Sequence, residues 1–300
     1  MIEAQNISKQ FDGFWALENV SCRIERGSIY GMVGSNGAGK STFLRILSGI
    51  YRPNSGTVSL DGAPLYENPA AKAKIAFVPD ALYFPAGATV ARMMAMYRNL
   101  HASFDRARCE VLCKELNLDL QKPIQTFSKG MKRQCATVLA ICTDPEYILF
   151  DETFDGLDPV VRNYVKSLIC KDVLDRGASA VITSHSLREL EDTCDQLALL
   201  HRGGIVVQSE VQSLKTKHFK VQIAFPDAYD RTRFEGISGM ELLHFTKQGS
   251  VANLIVKGDR QAVAQALQKL CPSVLDILPL SLEEVFTYEM ETMGYAFNLS

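Results

Sequence analysis

The sequence predicts an α/β fold, and three observations point to it. Short apolar runs alternate with helical patterns along most of the chain. One run, Ile29–Val33, leads straight into a glycine-rich loop, GSNGAGKST, and then into a helical pattern. Two others, at 147–150 and 179–183, are almost wholly apolar, as expected of central strands covered on both faces.

The elements follow in chain order. Candidate strands are Val20–Glu25, Ser28–Val33, Thr57–Leu60, Ile75–Val78, Tyr147–Phe150, Ser179–Thr183 and Gln196–Leu200. Candidate helices are Lys40–Ser48, 129–142 and Val160–Asp175. In the last, Val161, Tyr164, Val165, Leu168 and Ile169 recur at helical spacing. Pro159 suits its first turn and Gly177 its end. Residues 88–142 read as an inserted helical subdomain, with Met93, Met94, Met96, Tyr97, Val111, Leu112, Leu116 and Leu118 as apolar positions. The style changes after Gly203–Gly204 and Ser213, which places a boundary near residue 215. The main domain is then 1–214. Residues 215–300 form a small α+β domain, in which Lys220–Phe225 and Val251–Val256 alternate like strands. Gln261–Leu270 and Leu282–Met290 read as its helices.

Composition narrows the function. The chain has 300 residues, 47% hydrophobic and 22% charged, which excludes intrinsic disorder. Lys and Arg number 32 against 34 Asp and Glu, a net charge of −2 that gives no support for general nucleic-acid binding. No stretch approaches the roughly 18 apolar residues of a spanning helix, and the start has no apolar signal core. A cytoplasmic chain is expected, reaching a membrane only by docking onto another chain. None of the eight cysteines forms a CxxC pair, so free thiols are expected. Cys109 and Cys113 are spaced to share a helix face, but no His or further Cys joins them at ligand spacing.

The glycine-rich loop fits the phosphate-loop pattern GxxxxGK[ST], with Gly34, Gly39, Lys40 and Ser41 at the fixed positions. Glycines let successive backbone N–H groups turn inward as an anion nest, and the next helix adds the positive end of its dipole. Lys40 is placed to reach the β- and γ-phosphates, and Ser41 to hold Mg²⁺. A dinucleotide reading of Gly34, Gly37 and Gly39 fails, because the spacing is GxxGxG and Lys-Ser follows. The strand Tyr147–Phe150 ends in Asp151–Glu152. An acid there can serve Mg²⁺, and the next carboxylate can orient a water attacking the γ-phosphate. His185 follows the strand at 179–183, whereas His101, His201, His218 and His244 are read as surface or packing residues.

One further motif, FSKGMKRQ at 127–134, resembles the signature LSGGQ. With the other motifs in order, residues 1–212 resemble the ATP-binding subunit of an ATP-binding-cassette (ABC) transporter. The resemblance implies a P-loop NTPase core of ABC ATPase type: a mixed central sheet with flanking helices, an antiparallel β-subdomain and a helical signature subdomain. The small C-terminal α+β domain is additional. It also implies ATP and Mg²⁺ as cofactors. By position, Phe11 stacks on adenine, with Trp15 a packing neighbour. Gly34, Ser35, Asn36, Gly37, Ala38, Gly39, Lys40, Ser41 and Thr42 cradle the phosphates. Ser128 and Gly130 meet the γ-phosphate held by an opposite subunit, and Asp158 is the acid of the DGLD loop at the dimer interface. Asp151 serves the metal, Glu152 the water, and His185 is the switch histidine.

Several positions depart from the family pattern. Asp80 stands where a Gln is usual and is expected near the metal. Lys129 replaces the first signature Gly, Met131 the Gln, and Thr153 the usual Pro. These variants resemble a bacterial export-type subgroup with separate membrane subunits. The expected partners are such a membrane chain and a second ATPase copy, as a head-to-tail dimer or a heterodimer with a related ATPase. The segment ARMMAMY reads either as core packing or as an adaptable groove for a helix of the membrane chain. The stretch LEEVFTYEMETMGY resembles the closing helix of related ATPases, in a tail that is regulatory or braces the dimer. Alternatives are a nucleotide-dependent switch with little turnover, a soluble non-transport ABC ATPase and an unrelated phosphate-loop kinase.

Overall fold

The computed structural model describes residues 1–292, and 293–300, the end of the predicted tail domain, lie outside them. The chain divides into two compact units, the first spanning Met1–Val206 and the second beginning at Val207. The division falls inside a strand, ahead of the change in sequence style near 215.

The first unit opens with an antiparallel sheet. Its strands are β1 (Ile2–Phe11), β2 (Phe14–Ile24), β4 (Ser55–Leu60) and β5 (Ala63–Pro64), in the order β2-β1-β4-β5. The sequence reading passed over β1. Its alternation of buried residues breaks between Ala4 and Ile7, where the register shifts and Asn6 takes a φ of 52°. Such a bulge hides a strand from any period-two pattern.

The second sheet carries the site. Its order is β10-β9-β3-β8-β7-β6, built from β3 (Ile29–Val33), β6 (Ile75–Val78), β7 (Tyr147–Phe150), β8 (Ser179–Ser184), β9 (Gln196–His201) and β10 (Gly204–Glu210). The pairings of β3 with β8 and β9, and of β7 with β6 and β8, are parallel. Strands β3, β7 and β8 are buried at every residue, which explains their apolar sequences. Their carboxyl ends lie side by side, with Val33 opposite Ser184 and Phe150 opposite Ile182. In open parallel sheets ligands gather at that edge.

Helices complete the unit. Helix α1 (Lys40–Leu47) follows the phosphate loop and buries Phe43, Leu44, Ile46 and Leu47 in the main core; α2 (Pro69–Lys72) is a single turn capped by Asn68. The helical subdomain holds α3 (Val90–Leu100), α4 (Arg106–Glu115) and α5 (Lys129–Ile141), capped by Thr89, Asp105 and Ser128 through their side-chain oxygens. Met93 and Met94 are buried while Met96 is exposed, so the methionine run packs core on one side only. Helix α6 (Pro159–Arg176) starts at a capping Asp158 and stops at Gly177, whose φ of 66° suits glycine. Buried Asp172 takes Arg108 from α4 and Arg176 from its own helix, tying the subdomain to α6.

The second unit is a smaller α+β body. Strands β11 (His218–Ala224), β12 (Met240–Gln248), β13 (Val251–Gly258) and β14 (Val274–Pro279) form an antiparallel sheet in the order β12-β13-β11-β14. Helices α7 (Val211–Lys217), α8 (Arg260–Gln268) and α9 (Leu282–Thr292) accompany it. Val263 and Leu267 of α8 join Phe219, Val221 and Ile223 in its core.

No helix among the described residues is long and apolar enough to cross a membrane. All eight cysteines are free thiols.

Candidate functional site

The phosphate loop runs from β3 to α1 and owes its path to glycine. At Gly39 φ is 110°, and an added Cβ would lie 2.5 Å from the Ala16 carbonyl oxygen. At Gly34 a Cβ would lie 2.4 Å from the Leu200 carbonyl oxygen. Nothing else fits either place. No side chain caps α1, so its first backbone N–H groups stay available for an anion.

Lys40 is buried and all three of its donors have partners. Its Nζ donates to the carbonyls of Gly34 at 2.6 Å and Ser35 at 3.2 Å, and lies 3.1 Å from Glu152 Oε1. The other carboxylate oxygen, Oε2, is 3.1 Å from His185 Nδ1. Glu152 therefore spans the lysine of the phosphate loop and the histidine after β8.

Asp151 ends β7 with its side chain fully buried. Its Oδ1 accepts from Ser41 Oγ at 3.1 Å and Thr183 Oγ1 at 2.9 Å. Its Oδ2 is buried with no hydrogen-bond partner. A buried carboxylate oxygen left without a donor is costly unless something cationic meets it. A hard cation beside the Ser41 hydroxyl fits that oxygen and this donor set.

A cleft of about 380 Å³ lies over the loop, lined by Asn36 to Thr42, Ala16, Asp80, Glu152 and two aromatics, Phe11 and Phe14. Phe11 and Phe14 face each other across the β1–β2 turn. The Phe11 ring meets Tyr51 edge-on at 5.5 Å, with Lys9 Nζ 5.1 Å from its centroid. Phe14 is 66% exposed. The sequence reading named Phe11 alone, with Trp15 as its neighbour; Trp15 is outside the lining, and Phe14 went unnoticed.

Three expected residues form a separate group. Ser128 caps α5 by accepting from the Met131 N–H at 3.1 Å. Gly130 packs so closely on the DGLD loop that a Cβ would sit 2.9 Å from the Gly156 carbonyl oxygen. Asp158 accepts from the N–H groups of Val160 and Val161, both at 3.0 Å. Lys129 reinforces this contact, its Nζ 2.6 Å from Asp155 Oδ2. That ion pair holds the Asp155 carboxyl below the usual range, against a smaller opposing effect of burial. Ser128, Gly130 and Asp158 are not among the residues lining the phosphate cleft.

Asp80 lines the cleft, but its Oδ1 is engaged by Arg133 Nη2 at 2.7 Å. Arg133 and Thr183 contact residues of this site, Arg133 through Asp80 and Glu152 and Thr183 through Asp151 and Glu152, and sequence reasoning missed both. Arg133 lies within the motif at 127–134 but its partners are distant in sequence, Thr183 reads as an ordinary strand residue, and both reach the site only through folding.

Comparison with known proteins places these motifs in context. A family model described as ABC transporter matches residues 17–155. The ABC transporter ATP-binding protein YtrB of Bacillus subtilis (strain 168) is 31% identical over 95% of this chain and 97% of its own length. The linearmycin resistance ATP-binding protein LnrL of the same organism is 31% identical over 69% of this chain and 68% of its own. Among solved structures, an ATP-binding subunit of an ABC transporter superposes with a TM-score of 0.66 at 26% identity, covering 71% of this chain and 91% of that one.

Proposed function

The chain belongs to the ATP-binding proteins of ABC transporters, and from that premise we propose how its residues turn over ATP and what they drive. It is an ATP-binding, ATP-hydrolysing subunit. The observation that supports the catalytic assignment is the convergence of Lys40, Ser41, Asp151, Glu152 and His185 at the carboxyl edge of one parallel sheet.

Phe11 and Phe14 offer flat faces to the adenine. The loop amides from Gly34 to Thr42 and the N-terminus of α1 receive the phosphates, and Lys40 turns from its carbonyl partners toward the β- and γ-oxygens. Ser41 Oγ and Asp151 Oδ2 are the ligands this chain offers to magnesium. Magnesium held there would supply Lewis-acid neutralisation of phosphate charge. Glu152 orients the attacking water and accepts its proton at a carboxylate oxygen. His185, within hydrogen-bond reach of Glu152, fixes that carboxylate and reads the γ-phosphate from the other side.

Ser128, Gly130 and Asp158 are held together, yet apart from the lining of their own chain's cleft. That separation favours a head-to-tail pair in which one copy's signature closes over the other copy's phosphate loop. ATP joins the two copies and hydrolysis releases them. The work goes to a separate membrane chain, to which this subunit attaches from the cytoplasmic side. Export is the direction favoured by the signature variants and by the resistance function in the name of one relative. The unit beginning at Val207 is an accessory domain of the ATPase.

The test is steady-state ATP hydrolysis by the purified chain beside Glu152→Gln, with size-exclusion chromatography at saturating ATP. Hydrolysis by the wild type and an ATP-bound dimer of the stalled variant are expected. Equal turnover by both would remove Glu152 from the mechanism.

A further inference from the structure

Arg133 is 1% exposed. A guanidinium so deep in protein needs a counter-charge and several acceptors to offset its desolvation. Its partners come from two other segments. Nη2 reaches Asp80 Oδ1 at 2.7 Å and the Asp80 carbonyl at 3.4 Å. Nη1 donates to the Glu152 carbonyl and lies 3.4 Å from the Asp151 carbonyl. One planar fork on the signature helix thus joins the residues following β6 to those following β7.

The grip on Glu152 has a physical reason. Glu152 has a φ of 49°, in the left-handed region that a non-glycine residue adopts only against a steric penalty. Both of its backbone polar groups are pinned. The N–H donates to Thr183 Oγ1 at 3.0 Å, and the carbonyl accepts from Arg133. Together these contacts hold the backbone turn that aims the Glu152 carboxylate between Lys40 and His185. Asp80 supplies the only carboxylate shown on Arg133 among the described contacts.

We infer that Arg133 is a positioning residue for the hydrolytic carboxylate and that Asp80 acts as its counter-ion in place of a magnesium ligand, given the reading above in which Glu152 directs the attacking water. The signature helix and the Asp80 loop then bear on the turnover rate through one buried side chain that is itself outside the cleft lining.

Full-length Asp80→Asn, Arg133→Gln and Arg133→Lys variants test this, with kcat and KM for ATP measured beside Glu152→Gln. Binding of a fluorescent ATP analogue is followed in parallel while magnesium is varied. Displacing a reacting group by about an ångström costs up to roughly 100-fold in rate, so Arg133→Gln is expected to lower kcat by about that factor with KM unchanged. Arg133→Lys recovers part of the loss, since it keeps the charge without the fork. Asp80→Asn lowers kcat about tenfold and leaves the magnesium dependence of binding where it was. A variant combining Asp80→Asn with Arg133→Gln is expected to be no slower than Arg133→Gln alone, because the two residues act as one unit. A higher magnesium requirement in Asp80→Asn would make Asp80 a metal ligand and overturn the inference, as would an unchanged kcat. Asp80 is 51% exposed, so its variant decides the matter even if Arg133→Gln does not fold. Full turnover by Glu152→Gln is a separate result, which overturns the assignment of Glu152 itself.

Discussion

Lys40 Nζ and Glu152 Oε1 stand 3.1 Å apart, so the cation of the phosphate loop and the carboxylate after β7 neutralise each other across the floor of the cleft. Phosphate oxygens entering the loop compete with Glu152 for the same ammonium. Release of Glu152 from Lys40 is therefore the expected consequence of phosphate binding. In Lys40→Ala the phosphates lose a charge-assisted contact of about 1.5–3 kcal/mol, so ATP affinity falls roughly 10- to 100-fold. Isothermal titration with ATP measures it. Affinity within twofold of wild type would show that the loop amides hold the phosphates by themselves.

The loop glycines differ in a way that substitution will expose. Gly39 combines a φ of 110° with a backbone oxygen 2.5 Å from the would-be Cβ, so strain and collision act together. Gly37 has a φ of 79° but open space around it. Gly37→Ala carries only the left-handed penalty of about 1–2 kcal/mol and keeps its fold with a lower melting temperature. Gly39→Ala must move the β2 backbone at Ala16, and it is expected to lose ATP binding altogether. Thermal unfolding with and without ATP compares them. Equal behaviour of the two variants would refute the role of the Ala16 contact.

Much of this site was legible in the sequence, for a physical reason. A phosphate loop is a local backbone device, so Gly34, Gly39, Lys40 and Ser41 must stand at fixed spacings. Asp151, Glu152 and His185 follow fully buried strands, and such strands announce themselves as apolar runs. Arg133 was visible only as one basic residue in KGMKRQ, because its partners Asp80 and Glu152 lie far away in sequence. Thr183 reads as an ordinary β-branched strand residue until β8 is laid beside β7. Phe14 was hidden by Trp15, since only the β1–β2 turn decides which ring faces the cleft. Strands β12 and β14 were missed for a similar reason. They lie at the sheet edges with half-buried or exposed faces, as in Met240–Gln248, which leaves little alternation to find.

The second unit contains a pH-sensitive contact. Glu289 of α9 accepts Lys257 Nζ at 2.7 Å and lies 2.7 Å from His218 Nε2. Burial works to raise its carboxyl, but Lys257 and His218 outweigh it and hold the group below its ordinary value of 4.5. A carboxyl lowered by folding stabilises the protein above that ordinary value, and the contribution disappears as pH falls through the lower, folded one. Glu289→Gln is therefore expected to destabilise the protein by about 1–2 kcal/mol at pH 7. The gap between wild type and variant should close as the pH drops below 4.5. Urea unfolding across that range, followed by circular dichroism, reports it. A gap that stays constant with pH would assign the loss to packing and not to charge.

The thiols offer a measure of how tightly the first unit is closed. Cys22, Cys109, Cys113, Cys135, Cys142 and Cys194 are buried, Cys170 is intermediate and Cys271 is exposed. Burial pushes the Cys22 and Cys135 thiols up to about 12. At pH 8 a thiol of that kind is ionised about one part in ten thousand, and the thiolate is the reactive form. At Cys22 and Cys135 access and ionisation therefore act in the same direction. A disulfide reagent added to the native protein is expected to react quickly at Cys271 and slowly at Cys170, and to reach the six buried thiols only through unfolding. Cys271→Ser should remove the fast phase and leave the rest unchanged. ATP, by binding the folded first unit, should slow the buried thiols there further, because the reactive open form is depleted in proportion to occupancy. Several fast equivalents in the wild type would mean that the first unit opens locally around its cysteine-bearing helices, at a free energy well below that of global unfolding.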